Sequence, residues 1–170
     1  MTMPDGSPVE PELVVRVGTP ADVHDFMELA LMGSVENGFV APRPDKILQE
    51  VWAALNLDNG ITGIIGPKGG KPEGAVLLRV ANLWYSDEQV IEERAIFIHP
   101  DYRSAKGGRA SRMCEFSKQV ADQMGLPLMS GVLSNNRTEA KVKLYQRHFG
   151  APAGAYFLYG AHTGGAVSQR

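Results

Sequence analysis

The sequence has little cysteine, no long apolar run and no excess of positive charge. Its single cysteine, Cys114, excludes an intramolecular disulfide and fits a reducing compartment, so we expect a cytoplasmic protein. A formal net charge of −2 argues against nonspecific nucleic-acid binding, which usually requires a basic face. The apolar runs are too short for a membrane span, and residues 1–12 lack the basic and apolar regions of a signal peptide.

Several motifs of common enzyme classes are also missing. The segment GPKGGKP (66–72) has the wrong Gly–Lys spacing for a P-loop, and Pro72 replaces the required Ser or Thr. No G-x-G-x-x-G follows a predicted strand, and no serine lies in a G-x-S-x-G elbow. The histidines are scattered without metal-ligand spacing, so we expect no metal.

What is present is the pattern of one α/β domain. The length of 170 residues and the hydrophobic content of 44% fit one compact soluble domain. Helices are predicted after Thr19-Pro20, after PRPD (42–45), from Ala110 to a stop at Gly125, and at 138–149. The strand-like runs lie at 13–17, 61–66, 74–86, 89–98, 126–134 and 155–160. Those at 61–66, 74–86 and 89–98 predict an antiparallel meander. We expect residues 1–12 to be a flexible leader, 13–160 to form the domain and 161–170 to be a flexible tail.

The junction HPDYRSAKGGRASRM (99–113) has the composition of an anion site. An apolar run stops at His99-Pro100, and cations and two glycines then precede an amphipathic pattern. The first N–H groups of a helix have no helical partner and lie at the positive end of its dipole, where phosphate binds. A solvated basic helix start with a flexible turn explains the composition equally well.

This junction resembles the acyl-CoA signature of the GNAT superfamily of N-acetyltransferases, V-x-P-x-x-R-x-x-G-x-G/A. Ile98, Pro100, Arg103 and Gly108 fall on motif positions, while Lys106 stands where the first glycine usually does. The resemblance covers residues 13–160. It implies a single-domain α/β fold, with a mixed, mostly antiparallel sheet of about six to seven strands flanked by about four helices.

The resemblance implies acetyl-CoA as cofactor and no metal. Its pyrophosphate would bind the N–H groups of the turn, and its pantetheine amides would pair with the strand edge before the turn. The implied cofactor-binding residues are Ile96, Phe97, Ile98, Arg103, Ser104, Ala105, Lys106, Gly107, Gly108, Arg109, Ala110 and Asn136.

A second segment, SNNRTEAKVKLYQRHFG (134–150), is similar to the family motif N-x-x-A-x-x-L-Y-x-x-x-G-F. The resemblance implies Tyr145 as the general acid for the departing thiolate; the alternative is a half-buried packing aromatic. Glu92 occupies the place of a general-base glutamate in some relatives, but a solvated charge or an Arg94 partner is equally plausible. At most one of Glu92 and Glu93 enters a given cleft unless a bulge intervenes, because neighbouring strand residues face opposite ways.

The first two helices and their connection would form one wall of an acceptor pocket. The candidate acceptor residues are Glu36, Asn37, Phe39, Trp84 and Tyr85. The alternative is that Trp84 fills the core, as we expect of Trp52 on the apolar face of the second predicted helix. Acidic and aromatic groups suit a cationic amine. The predicted function is transfer of an acetyl group from acetyl-CoA to a small-molecule or peptide amine by direct attack. The alternatives are a noncatalytic acyl-CoA-binding module and a phosphate-binding interaction protein; a homodimer would fit the family.

Overall fold

A computed structural model of the chain describes residues 2–134 and 137–161. The elements in chain order are β1 (Leu13–Val17), α1 (Val23–Asn37), α2 (Pro44–Leu55), β2 (Gly60–Pro67), β3 (Gly74–Asn82), β4 (Gln89–Ile98), α3 (Arg109–Met124), β5 (Leu128–Met129) and α4 (Thr138–Phe149). Short 3-10 turns at Pro20–Asp22 and Pro100–Tyr102 precede α1 and α3. The α/β class, the four flanking helices and the bounds of β1, β4 and α4 confirm the predictions.

The strands form one mixed sheet in the order β1-β2-β3-β4-β5. The first four strands are antiparallel, which confirms the predicted meander. β5 is parallel to β4 and pairs with it only at Ile91 and Glu92. β4 contains a bulge, because Leu77 lies opposite Ala95 and Leu78 lies opposite Glu93, which leaves Arg94 as the extra residue.

The sheet is covered on both faces, so the fold has three layers. On one face, α1 and α2 bury a cluster around Phe26, Val51 and Leu77. On the other face, α3 buries a cluster around Ile91, Met113 and Phe116. Gly63 lets α3 pack closely against the sheet, because a Cβ at this position would lie 2.5 Å from Cδ1 of Phe116.

The chain enters α1 through the predicted N-terminal cap. The backbone N–H of Thr19 donates to Asp22 Oδ2 at 2.8 Å, and the Asp22 and Thr19 side chains complete a capping box. The Arg16 guanidinium binds the same carboxylate at 2.7 and 2.8 Å. Arg16 therefore lowers the pKa of Asp22, and the N–H of Thr19 lowers it further. This contact ties the end of β1 to the start of α1.

Three predicted strands are shorter or missing, and the predicted count of six to seven strands is wrong for the described residues, which contain five. The predicted strand at 155–160 is irregular and lies on the surface, and β5 spans two residues rather than 126–134. β3 ends at Asn82 rather than 86, because a turn closed by Ser86 N–H on Leu83 O follows it. Outside the two residues of β5 that pair with β4, both of these segments have suitable apolar residues but no neighbouring strand to pair with among the described residues, and a strand needs that partner.

The spacing of apolar residues along α2 also predicted the wrong burial for one aromatic residue. Trp52 was expected on the buried face of α2, but 47% of it is exposed, and Ala54 is buried instead. Within the described part of the chain, no helix has both the length and the apolar character needed to cross a bilayer.

Candidate active site

The turn between β4 and α3 presents a row of unpaired backbone donors. Gly107 and Gly108 have φ values of 119° and 57°, and α3 begins at the next residue. Both values lie in the region that favours glycine. The N–H groups of residues 106–111 find no acceptor among the described residues. Together with the positive end of the α3 dipole, these N–H groups are suited to binding a phosphate group.

Arg103, one of the cations in this segment, is held against the body of the protein. One Nη of Arg103 donates to Glu36 Oε2 at 2.6 Å, and its Nε donates to Ile98 O at 3.0 Å. Its guanidinium also lies 5.0 Å from the centroid of the Phe97 ring. These contacts join the end of α1 to the end of β4.

Arg109 is held even more firmly. Its Nε donates to Glu73 Oε2 at 2.7 Å, and both side chains are less than one tenth exposed. Its Nη1 donates to Lys106 O at 2.9 Å, and its guanidinium lies over the Tyr102 ring. Arg109 therefore shapes the turn from inside, whereas Ser104, Ala105 and Lys106 lie on its surface.

One edge of β4 is open along its last residues. The β4–β5 ladder stops at Glu92, so Ile96, Phe97 and Ile98 have no strand partner on that side among the described residues. The residues that follow β5 diverge from β4 instead of continuing the sheet. This leaves an open strand edge that leads directly to the unpaired N–H groups at the start of α3.

Tyr145, on α4, is buried and contacts a buried carboxyl group. Its hydroxyl donates to Glu93 Oε1. Glu93 Oε2 and the nearby Ser130 Oγ are both buried without a hydrogen-bond partner among the described residues. Burial raises the pKa of Glu93 above its ordinary value of 4.5, and the hydrogen bond from Tyr145 only partly offsets this effect. Burial also raises the pKa of Tyr145, and the neighbouring Glu93 adds to the increase.

Glu92 is the candidate general base by the family resemblance, whereas it is Glu93 that contacts Tyr145 in the structure. Ile91 lies in the α3 cluster, and alternation along β4 puts Glu93 on the same face. Glu92 lies on the opposite face and forms an ion pair with Arg94 at 3.1 Å. The apolar character of Ile91 was the signal in the sequence that could have identified Glu93.

Two further ionisable groups lie close to Glu93 and Tyr145. Burial raises the pKa of the Cys114 thiol to about 12, and Glu93 adds to the shift, so this thiol is not an activated nucleophile. Lys141 lies one helical turn before Tyr145, and its Nζ is 3.4 Å from Ser134 Oγ. Burial lowers the pKa of Lys141. The surroundings of Tyr145 thus disfavour charge in general.

The predicted acceptor residues do not form one pocket. Glu36 binds Arg103, beyond the C-terminal end of β4. Trp84 and Tyr85 lie before the other end of β4, exposed and edge-to-face with centroids 5.5 Å apart. The ten residues of β4, at about 3.3 Å each, separate the two groups by about 30 Å. Asn37 ends α1, Phe39 is half-buried in the following loop, and the predicted cofactor residue Asn136 lies outside the described residues.

The fold matches solved acetyltransferase structures. The aminoglycoside N-acetyltransferase AAC(6')-Iy in complex with CoA has a TM-score of 0.69 and 16% identity over 89% of this chain and 96% of its own. Its complex with the bisubstrate analogue CoA-S-monomethyl-acetylneamine gives a TM-score of 0.67 and 16% identity over 87% and 97%.

A third similar structure is that of an enzyme named for a different class of acceptor. The ribosomal-protein-alanine N-acetyltransferase from Brucella melitensis biovar Abortus 2308 gives a TM-score of 0.63 and 14% identity over 87% and 98%. No family model and no curated protein matches the sequence. These similarities show that the chain has the fold of these acetyltransferases, which is the fold expected from its resemblance to the GNAT signature.

Proposed function

We propose that this protein transfers an acetyl group from acetyl-CoA to an amine. The observation that carries the proposal is the continuity between the open edge of β4 and the unpaired N–H groups of residues 106–111. AAC(6')-Iy, which shares the fold, has been solved with CoA bound. Acetyl-CoA would supply an activated thioester, and its pyrophosphate matches the anion site in charge.

The cofactor would be held mainly by backbone. Ile96, Phe97 and Ile98 have the open edge needed to pair with the pantetheine amides as an added strand. The N–H groups from Lys106 to Ala110 would bind the pyrophosphate, and the exposed Ser104, Ala105 and Lys106 would line its solvent side. Arg103 and Arg109 would act through their contacts with Glu36 and Glu73, which fix the shape of the turn.

Tyr145 is the proposed acid. Attack by a neutral amine breaks the bond between the thioester carbonyl carbon and sulfur, and the departing sulfur needs a proton. The Tyr145 hydroxyl would give that proton. Glu93 lies in hydrogen-bond contact with the same oxygen, and its raised pKa favours the protonated form. Protonated Glu93 would return a proton to the Tyr145 oxygen. The amine nitrogen loses one proton to solvent as the amide forms, and Glu93 takes one proton back from solvent, so that neither tyrosinate nor a charged Glu93 persists in the buried site.

The acceptor is proposed only as a primary amine. The similar structures include enzymes for aminoglycosides and for a protein N-terminal alanine, so the fold accommodates both classes. Because Glu36 and the Trp84-Tyr85 pair lie at opposite ends of β4, a small amine would contact one group and not both. A panel of polyamines, aminoglycosides and peptides, monitored by CoA release, identifies the class.

The first experiment tests cofactor binding with a matched pair of variants. Gly108 and Gly125 both have positive φ values, 57° and 65°, and a Cβ at either position has no neighbour closer than 3.9 Å. Gly108→Glu places a carboxylate in the proposed pyrophosphate site, whereas Gly125→Glu places it at the other end of the 16-residue α3, about 24 Å away. We expect acetyl-CoA to raise the Tm of wild type and Gly125→Glu but not of Gly108→Glu. Equal thermal shifts in all three proteins, or equal stabilisation of wild type by phosphate and by acetyl-CoA, would contradict the proposal.

One observation favours a second candidate function, a noncatalytic acyl-CoA-binding module. The Tyr145 hydroxyl already donates to Glu93, and a hydroxyl that kept this contact would not protonate a thiolate. A module of this kind would show the acetyl-CoA thermal shift, lose it in Gly108→Glu, and release no CoA with any amine.

A further inference from the structure

Lys141 is a half-buried lysine that the proposed reaction does not use. It lies on α4 one helical turn before Tyr145, so the two side chains share one face of the helix. Its Nζ lies 3.4 Å from Ser134 Oγ, and it forms no ion pair with a carboxylate among the described residues. Ser134 follows β5, so this contact puts the amine on the side of β4 that β5 occupies. Lysine side chains usually lie in solvent or beside a carboxylate, and this amine does neither.

The charges around Lys141 place its amine beside the open edge of β4. It interacts electrostatically with Glu93, in the middle of β4, and with Glu36 and Arg103 beyond the end of that strand. Arg103 itself donates to the carbonyl oxygen of Ile98, the last residue of β4. The stretch between these charges is the open edge that the proposed function assigns to the pantetheine arm. The amine therefore lies beside the place where the thioester of bound acetyl-CoA would be.

The surroundings of Lys141 favour the neutral amine, which is the nucleophilic form. Burial lowers the pKa of Lys141. Two carboxylates oppose this effect and two guanidinium groups add to it: Glu36 on α1 and Glu93 on β4, and Arg103 after β4 and Arg137 before α4. The net result is a lysine that is neutral in a larger fraction of the molecules than an exposed lysine at the same pH.

We infer that Lys141 is acetylated by the acetyl-CoA bound to its own chain, an inference that rests on the proposed function. The Nζ atom forms a bond to the thioester carbonyl carbon, and the bond from that carbon to sulfur breaks with its electron pair on sulfur. The nitrogen loses one proton to solvent. Tyr145 gives one proton to the sulfur and regains it through Glu93, which takes one from solvent. The products are Nε-acetyl-lysine and CoA, and because an amide nitrogen is not a nucleophile the reaction occurs once per chain.

Mass spectrometry after incubation with acetyl-CoA, without an acceptor amine, tests the inference. Lys143 is the matched control, because it is exposed on the other side of α4. Reacting groups held together reach effective molarities of up to about 10⁵–10⁸ M, so we expect Lys141 to be acetylated at least about tenfold faster than Lys143. Lys141→Arg should abolish the accompanying release of CoA, whereas Lys143→Arg should retain it. Equal acetylation of both lysines, or a rate per chain that rises with protein concentration, would overturn the inference.

A second measurement does not depend on acetyl transfer by the protein. Trace amounts of acetic anhydride label lysine amines in their neutral form, and CoA without an acetyl group serves as the protecting ligand. We expect CoA to protect Lys141 but not Lys143 in wild type, and to protect neither in Gly108→Glu. If CoA raises the Tm but leaves the labelling of Lys141 unchanged, this inference is wrong and the proposed cofactor site stands. A wild type whose Tm does not respond to CoA would overturn both.

Discussion

Replacing Arg109 distinguishes most clearly between a structural role and a ligand-binding role for the cations of the turn. Replacing it with alanine would leave the buried Glu73 carboxylate without its partner and would remove the bond to Lys106 O and the contact with Tyr102. Breaking one side of a buried ion pair costs about 3–5 kcal/mol. In a domain of this size each kcal/mol corresponds to about 2–4 °C in Tm, so we expect Arg109→Ala to lower the Tm by about 6–20 °C.

The double variant Arg109→Met/Glu73→Gln removes both charges and retains much of the side-chain volume. It should recover a large part of the lost stability, because no unpaired charge then remains buried. Urea unfolding of wild type, Arg109→Met, Glu73→Gln and the double variant gives the coupling free energy. If Arg109→Ala unfolds like wild type but binds acetyl-CoA much more weakly, Arg109 is a direct ligand and the structural assignment is wrong.

Three further predictions concern the ionisable groups. Tyr145→Phe should lower kcat for CoA release by about 10²–10⁴-fold with an unchanged acetyl-CoA thermal shift; an unchanged kcat would remove Tyr145 from the role of acid. Because the folded-state pKa of Glu93 is raised, its stabilising contribution is complete below about pH 4.5, the ordinary pKa of the group. That contribution is lost as the pH rises through the folded-state pKa. Glu93→Gln should therefore have a Tm that exceeds wild type at pH 8 and approaches it at pH 4, and the opposite trend would refute a protonated Glu93. Because the pKa of Asp22 is lowered, Asp22→Ala should lose about 1 kcal/mol of stability at pH 7, from the cap, and the difference should shrink as pH falls below 3.8; an unchanged difference at pH 2 would contradict the pairing with Arg16.

Local sequence signals predicted the elements that depend on local interactions. Thr19, Pro20 and Asp22 predicted the start of the first helical segment. Gly125, which has a positive φ, ends α3 as expected. The glycine-rich turn before α3 was also predicted, because its composition and the helix start are adjacent in the sequence. These features need no knowledge of distant residues.

The features that depend on distant residues were missed. The partners of Arg103 and Arg109, Glu36 and Glu73, are separated from them by 67 and 36 positions and share no local pattern with them. The choice between Glu92 and Glu93 depended on which face of β4 meets α4, and the sequence motif could not decide it. The strand at 155–160 was predicted from its residues alone, whereas pairing depends on a neighbouring edge.

The most direct test of the central claim follows the backbone amides during a CoA titration by ¹⁵N-resolved NMR. If the start of α3 binds the pyrophosphate, the largest shifts will fall on the amides of residues 106–111 and along Ile96–Ile98, and free phosphate at equal concentration will not reproduce them. Saturable CoA binding that leaves these amides unmoved, with the largest shifts elsewhere in the chain, would show that the cofactor site is not at this turn.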